Sequence, residues 1–168
     1  SRYLATRDDY SGLDLAPLFI AMRAAVRAKV ALNAALLIEG DARREKQDEA
    51  RHYAHAASLA LQRPTPRLVA IGGLSGTGKT TLARALAPGF APAVGAVHLR
   101  SDTLRKKRAG VPFEARLPPE AYTKAESAAV YAGLLERAET VLNQGAPVLI
   151  DAVFAAPAER QAVKDLAR

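Results

Sequence analysis

A glycine-rich octapeptide from Gly73 to Thr80 (GLSGTGKT) is the segment of this sequence whose residue types and spacing most clearly support chemistry. It matches the pattern GxxxxGK followed by Ser or Thr at every required position. Successive backbone N–H groups of such a loop converge on phosphate oxygens, and its glycines permit a close approach that a Cβ would block. The pattern predicts a loop that binds the phosphates of a nucleoside triphosphate, called the P-loop below.

Two side chains of the P-loop have distinct predicted roles. Lys79 supplies a mobile positive charge for the β- and γ-phosphates, and Thr80 presents a hydroxyl to Mg²⁺. A glycine-rich turn that only begins a helix is the alternative, but the preceding apolar run LVAI favours the phosphate-binding reading. ATP and Mg²⁺ are the predicted cofactors, and the predicted nucleotide contacts are Gly73, Leu74, Ser75, Gly76, Thr77, Gly78, Lys79, Thr80 and Thr81.

Two aspartates follow other apolar runs, Asp102 in HLRSD and Asp151 after VLI. In a parallel sheet both would lie at the same edge as the P-loop. Asp151 has the layout of an acid that holds magnesium, whereas Asp102 is the candidate general base for an attacking hydroxyl. Arg105, one turn later, could contact the acceptor or a phosphate, so Lys79, Asp102 and Arg105 form the predicted catalytic set. Capping of the next helix is the alternative role for either aspartate.

The histidines give a weaker signal. His52 and His55 lie three positions apart on a predicted helix, a spacing that could place two imidazoles on one metal ion. No third ligand accompanies them, so solvated surface histidines are favoured. His98 is interpreted as a packing residue at a strand end.

Strands that alternate with helices must position these residues. Three short apolar runs predict strands, and each is followed by a helical pattern. The arrangement predicts an α/β fold, a parallel sheet of P-loop NTPase type flanked by helices and incomplete at its C-terminal end. The predicted strands are 68–71, 96–99 and 148–150, and the predicted helices are 79–87, one that begins near Asp102, and 120–143.

The sequence before this domain has helical periodicity. Apolar residues recur from Asp14 to about Ile38, and Gly40 followed by Asp41 predicts the end of one helix and the capped start of a second, which runs to about Leu61. We expect a helical hairpin over residues 1–63 and a proline-containing linker over 64–67, ahead of the domain at 68–168.

Composition excludes several classes of function. The chain has no cysteine, which excludes disulfides and thiolate metal sites, and no uninterrupted apolar stretch long enough to cross a membrane. A net charge of +7 invites polynucleotide binding, but aromatic residues for base stacking make up only 5%, so nucleic acid is a disfavoured partner. Without a secretory signal, a cytoplasmic location is expected.

From Leu68 onward the chain resembles the P-loop small-molecule kinases related to zeta toxins, chloramphenicol phosphotransferase and polynucleotide 5′-kinase. The resemblance rests on GLSGTGKTTLA, HLRSDTLRKK and VLIDAVFAAPAER. It implies transfer of the γ-phosphate of ATP to a hydroxyl of a small acceptor, with Asp102 as base, Arg105 at the acceptor and Asp151 near the metal. Arg160 falls where the family often has an arginine opening a helix. The family's lid and adenine-binding segment are not visible, so a domain that ends before its lid is expected.

The first 62 residues, especially YSGLDLAPLFIAMRAAVRAKVA, resemble the helical C-terminal end of an aminoglycoside-phosphotransferase-like domain. In some bacterial proteins such a domain is fused ahead of this type of kinase. The resemblance implies an excerpt of a fusion protein with an intramolecular partner domain upstream.

Three functions stay open on the sequence. The leading one is a kinase of a small hydroxylated molecule bound near Asp102, Arg105 and the loop from Gly110 to Pro119. The second is a polynucleotide or nucleotide-sugar kinase that uses the same residues. The third, of another class, is a nucleotide-dependent switch or binding module.

Overall fold

The computed structural model of the chain describes residues 2–62, 65–90 and 95–168. Part of the predicted linker, residue 64, lies outside the described residues. The α-helices in these ranges are α1 (Arg2–Arg7), α2 (Ala16–Ala35), α3 (Gly40–Leu61), α4 (Lys79–Leu86), α5 (Ser101–Arg108), α6 (Lys124–Asn143) and α7 (Pro157–Leu166). The strands are β1 (Leu68–Ile71), β2 (Val97–Arg100) and β3 (Val148–Asp151), and 3₁₀ turns cover Ala87–Gly89 and Pro119–Tyr122.

The three strands form one parallel sheet in the order β1-β3-β2. All four residues of the central strand β3 are buried, which explains why it reads as a nearly continuous apolar run. The predicted α/β fold with a parallel sheet flanked by helices is confirmed. The second strand runs one residue further than predicted, to Arg100, and this places Arg100 level with Asp151 on β3.

The two faces of the sheet carry different cores. Val148 and Ile150 of β3 face the larger core, which includes the fully buried α6 side chains Val130 and Val141. Leu149 faces the smaller core, with Ile71 of β1 and Ala83 of α4. Since side chains alternate along a strand, Asp151 lies on the Leu149 face, the same face as the helix that follows the P-loop.

The starts of two helices also differ from the prediction. The long helix begins at Lys124 rather than near Glu120, because the Thr123 side chain caps it by accepting the Glu126 N–H at 3.2 Å. Asp41 does not cap α3: Glu39 occupies the cap position, and Asp41 lies inside the first turn.

α2 and α3 pack against each other through alanines, including Ala28, Ala31 and Ala50. Small side chains allow the two backbones a close approach. Across this contact Arg27 donates to the Tyr53 hydroxyl at 3.1 Å and lies over its ring. The predicted helical pair is present. Among the described residues, none of the helices is both long and apolar enough to span a bilayer.

The segment ahead of α2 packs on the sheet domain instead of on the hairpin. Tyr10 and Leu13 are buried in the larger core with β2 and α6. Asp8 accepts hydrogen bonds from Lys107 of α5 at 2.6 Å and from Arg137 of α6 at 2.8 Å. The segment therefore joins α5, which carries Asp102, to α6.

Candidate active site

The P-loop joins β1 to α4, and its glycines are required by its backbone. Gly73, Gly76 and Gly78 have φ of 149°, 80° and 83°, a region that L side chains rarely adopt. A Cβ on Gly73 would also lie 2.9 Å from Thr77 Oγ1. The Thr77 hydroxyl in turn donates to the Leu74 carbonyl at 2.8 Å, which closes the loop on itself.

Lys79 is the first residue of α4, and its side chain extends back to the P-loop. Its Nζ donates to the Leu74 carbonyl oxygen at 2.5 Å. A cleft of about 550 Å³ opens beside the loop and is lined by Ser75, Gly76, Lys79 and Thr80 among the predicted nucleotide contacts. Thr81 is exposed on α4 and does not line this cleft.

Thr80 and Asp151 meet at the floor of the cleft. The Thr80 hydroxyl donates to Asp151 Oδ2 at 2.6 Å, and Asp151 is 4% exposed at the end of β3. Mg²⁺ prefers oxygen ligands and is commonly held through one or two carboxylates together with substrate phosphates. This hydroxyl and carboxylate fit that requirement, so Thr80 and Asp151 are the residues that could hold the ion. No cluster of three or more His, Cys, Asp or Glu suited to a metal occurs in the described part of the chain.

Two β2 side chains that were not predicted to belong to the site lie beside Asp151; one of them is His98, which was interpreted as a packing residue. His98 Nε2 is 3.4 Å and Arg100 Nε is 3.7 Å from Asp151 Oδ2. Burial lowers the pKa of His98 below its ordinary value of 6.5, and the nearby Arg100 and Arg84 act in the same direction against the opposing effect of Asp151. The two-residue spacing of His98 and Arg100 signals a shared face, but only the strand order places that face next to Asp151.

Asp102 lies at the same sheet edge, in the first turn of α5. Its half-exposed carboxylate lines the cleft with the P-loop residues and lies 3.2 Å from Lys106 Nζ and 3.9 Å from an Arg100 terminal nitrogen. The position before α5 is occupied by Arg100, and the cap position of α7 is Ala156, so neither aspartate is a helix cap. The structure brings Lys79, Thr80, Asp102 and Asp151 together around one cleft.

Arg105 lines the cleft but is largely engaged by the protein. It is 8% exposed, and one terminal nitrogen donates to the Ala121 carbonyl and, at 3.3 Å, to the Ser127 hydroxyl. Its guanidinium lies 5.0 Å from the centre of the Tyr122 ring. These contacts tie α5 to the 3₁₀ turn ahead of α6, so Arg105 shapes one wall of the cleft.

The loop after β3 packs against the P-loop and is hydrogen-bonded to it. The Val153 carbonyl accepts the Gly73 N–H at 3.2 Å. Phe154 has a φ of 53°, unusual for a non-glycine residue, and its N–H donates to the Tyr131 hydroxyl at 2.9 Å. Arg160, on α7, donates to the Phe154 and Ala155 carbonyls at 2.7 and 2.8 Å. No local sequence pattern identifies Tyr131 as part of this support, because it comes from α6.

The remaining histidines, His52 and His55, are exposed on α3. They line none of the clefts described around the sheet edge. The structure does not bring them together with the P-loop residues.

Comparison with known proteins agrees with this geometry. Residues 68–168 match a family model described as an AAA domain, AAA_33. The chain is 33% identical over 171 residues to an uncharacterized protein of Mycobacterium bovis and, at the same identity, to one of Mycobacterium tuberculosis strain H37Rv. Each alignment covers 98% of this chain but 32% of the relative, so the chain spans about a third of the length of these proteins. No solved structure matches it. The chain belongs to the AAA_33 family, a P-loop NTPase family of kinase-like, nucleotide-binding domains.

Proposed function

We propose that the protein is an ATP-dependent, Mg²⁺-using kinase that transfers the γ-phosphate to a hydroxyl of a small-molecule acceptor. The observation that carries the proposal is a single cleft of about 550 Å³ lined by Lys79, Thr80, Asp102 and Asp151. Nucleotide binding alone needs the P-loop and the metal ligands. The half-exposed Asp102 carboxylate in the same cleft adds what transfer to a hydroxyl requires, a group that positions the nucleophile and accepts its proton.

The P-loop residues bind the nucleotide in this proposal. Backbone N–H groups of the loop and the Lys79 ammonium bind the β- and γ-phosphates, with Lys79 exchanging the Leu74 carbonyl for phosphate oxygens. Thr80 and Asp151 would hold Mg²⁺, which neutralises phosphate charge when bound. His98 and Arg100 pack against Asp151 and keep its carboxylate at the end of β3.

Asp102 orients the acceptor and takes its proton. The acceptor oxygen forms a new bond to the γ-phosphorus, the bond from that phosphorus to the β–γ bridging oxygen breaks, and its electron pair leaves with ADP. The hydroxyl proton passes to the Asp102 carboxylate. Lys106 and Arg100 flank that carboxylate and restrict its orientation. We assign Arg105 the wall on the acceptor side, and we place the activity in the cytoplasm, where ATP is available.

The test is detection of a phosphorylated product by mass spectrometry after the protein is incubated with Mg-ATP and a metabolite extract. Asp102→Asn should abolish acceptor-dependent ADP formation and leave ATP affinity nearly unchanged, because the amide cannot take the proton. Asp165→Asn, an exposed carboxylate on α7, is the matched control and should keep full activity. Undiminished transfer by Asp102→Asn would refute the assignment of the base.

A further inference from the structure

A second cleft lies beside the first, and Arg100 and Asp102 line both. Its volume is about 470 Å³, within the range of small-molecule sites. The C-terminal end of α4, strand β2, helix α5 and the loop after α5 form its walls. A molecule in this cleft would therefore meet the Asp102 carboxylate, which also lines the cleft of the P-loop residues.

Basic side chains outnumber acidic ones around the second cleft. Arg84, Arg100 and Lys106 line it together with the carboxylates of Asp102 and Glu114. This arrangement leaves an excess of positive charge facing the cleft. Such an excess favours a ligand that carries a negative group.

The basic side chains differ in how many of their N–H donors already have hydrogen-bond partners within the protein. Lys106 Nζ donates to the Phe113 carbonyl at 2.8 Å and lies 3.2 Å from Asp102, so its charge is engaged. Arg100 is less engaged: among the described residues it donates no hydrogen bond, and its nearest carboxylate oxygens, on Asp151 and Asp102, lie at 3.7 and 3.9 Å. Its Nε is buried next to Asp151, but the side chain as a whole is 31% exposed. A guanidinium has five N–H donors. An anionic oxygen in this cleft would accept hydrogen bonds from the terminal nitrogens of Arg100.

We propose, resting on the kinase function above, that the second cleft binds the phosphoryl acceptor and that this acceptor is a hydroxylated anion, a small carboxylate or phosphate ester. Its negative group binds Arg100 and Arg84. Its hydroxyl lies at Asp102, where the proton is taken and where the acceptor reaches the first cleft, which Arg105 lines. Phe113 covers the carbon skeleton. A neutral polyol of the same size would give the terminal nitrogens of Arg100 no charged acceptor, which disfavours it.

The experiment is calorimetric titration of the protein with glycerate, glycerol 3-phosphate and glycerol. Saturating Mg-ADP occupies the P-loop and removes it as a competing anion site. We expect both anions to bind and glycerol to bind at least roughly tenfold more weakly. The relative affinities of the two anions distinguish a carboxylate from a phosphate ester as the preferred group.

Two substitutions locate the site. Arg100→Gln should weaken anion binding by roughly tenfold to a hundredfold, the range for loss of a charged hydrogen bond. Arg84 lines the second cleft but not the first. Arg84→Gln should also weaken anion binding, and it keeps the test valid if Arg100→Gln does not fold. Arg44→Gln, whose side chain is 82% exposed on α3, removes the same charge from a distant surface and should change nothing.

The proposal is overturned if glycerol binds as tightly as the anions, if neither anion binds at millimolar concentration, or if Arg100→Gln and Arg84→Gln behave like Arg44→Gln. Failure of the kinase proposal has a different signature. Arg100-dependent anion binding without any Asp102-dependent phosphorylated product would retain the anion site and refute the kinase. Asp102-dependent phosphorylation of a neutral acceptor would retain the kinase and refute the anion site.

Discussion

The hydroxyl of Thr80 donates to Oδ2 of Asp151 at 2.6 Å, although the two residues are 71 positions apart in the sequence. The contact joins the first turn of α4 to the end of β3 and sets two oxygen ligands side by side beneath the P-loop. Its consequence is that magnesium and nucleotide binding should be coupled through Asp151.

Asp151→Asn tests that coupling. The amide replaces an anionic metal ligand with a neutral one, so the gain in ADP affinity on adding Mg²⁺ should fall by at least about tenfold. ADP affinity measured with a chelator present should stay close to that of the unsubstituted protein. Calorimetric titration with and without Mg²⁺ measures both quantities, and Asp165→Asn is the control. A Mg²⁺-dependent gain that survives in Asp151→Asn would show that the ion is held elsewhere.

Gly73→Ala tests whether the backbone of the P-loop is as constrained as its torsion angles indicate. Gly73 has a φ of 149°, and an added Cβ would meet Thr77 Oγ1 at 2.9 Å. Nucleotide affinity should fall by about tenfold or more, and the free energy of unfolding by about 1–3 kcal/mol. Gly12→Ala, with open space around its Cβ, should change neither. Equal behaviour of the two variants in denaturant titrations and nucleotide binding would contradict this account of the loop.

How much of the site can be predicted from sequence depends on how far apart along the chain the contacting residues lie. The P-loop is a local pattern, and its conformation follows from consecutive residues. Asp102 and Asp151 could be placed at its edge because all strands of a parallel sheet end on one side. The positions of His98 and Arg100 beside Asp151 could not be predicted, since they depend on the order β1-β3-β2, which no local pattern encodes.

Contacts between distant elements account for the other differences. Arg105 was predicted from its one-turn spacing to Asp102, but that spacing carries no information on the Ala121 carbonyl to which it donates. Its contact with an acceptor stays a prediction. Tyr10 and Leu13 fall within residues 1–63, which were predicted as a helical hairpin, yet they precede α2 and are buried with β2 and α6, because the available apolar surface lies there.

Asp8→Asn tests the attachment of this N-terminal segment. Burial raises the pKa of Asp8, but hydrogen bonds and charges from Arg137 and Lys107 outweigh it and hold the pKa below the ordinary 3.8. A carboxyl with a lowered folded-state pKa stabilises the fold above its unfolded pKa and loses that effect as the pH falls through the folded value. At neutral pH the variant should lose about 1–2 kcal/mol of unfolding free energy.

The pH dependence separates this charge effect from a packing effect. The difference between Asp8→Asn and the unsubstituted protein should be constant near neutrality and shrink below about pH 4. Denaturant titrations at several pH values measure it. Asp41→Asn, at a carboxylate that is 95% exposed, is the control and should show no difference. If the difference in unfolding free energy between Asp8→Asn and the unsubstituted protein persisted unchanged in acid, the ion pairs of Asp8 would not be its cause.

Tyr131→Phe tests the support beneath the P-loop. The substitution keeps the ring that packs 5.6 Å from Phe154 but removes the hydroxyl that accepts the Phe154 N–H. Phe154 keeps its unfavourable φ of 53° with one fewer contact to hold it, so the free energy of unfolding should fall by about 1–2 kcal/mol. Tyr3→Phe, at a side chain 59% exposed, should be neutral in the same denaturant titration. A decrease in the free energy of unfolding no larger than that of Tyr3→Phe would show that the Tyr131 hydroxyl does not stabilise this loop.

The proposed function depends first on nucleotide binding by the P-loop through Lys79. Calorimetric titration of Mg-ATP into the unsubstituted protein and into Lys79→Ala measures this binding, with Lys164→Ala on α7 as the matched control. We expect saturable binding that Lys79→Ala weakens by roughly tenfold to a hundredfold and that Lys164→Ala leaves unchanged. Binding of Mg-ATP that is equally tight in all three proteins, or absent from the unsubstituted one, would contradict this expectation.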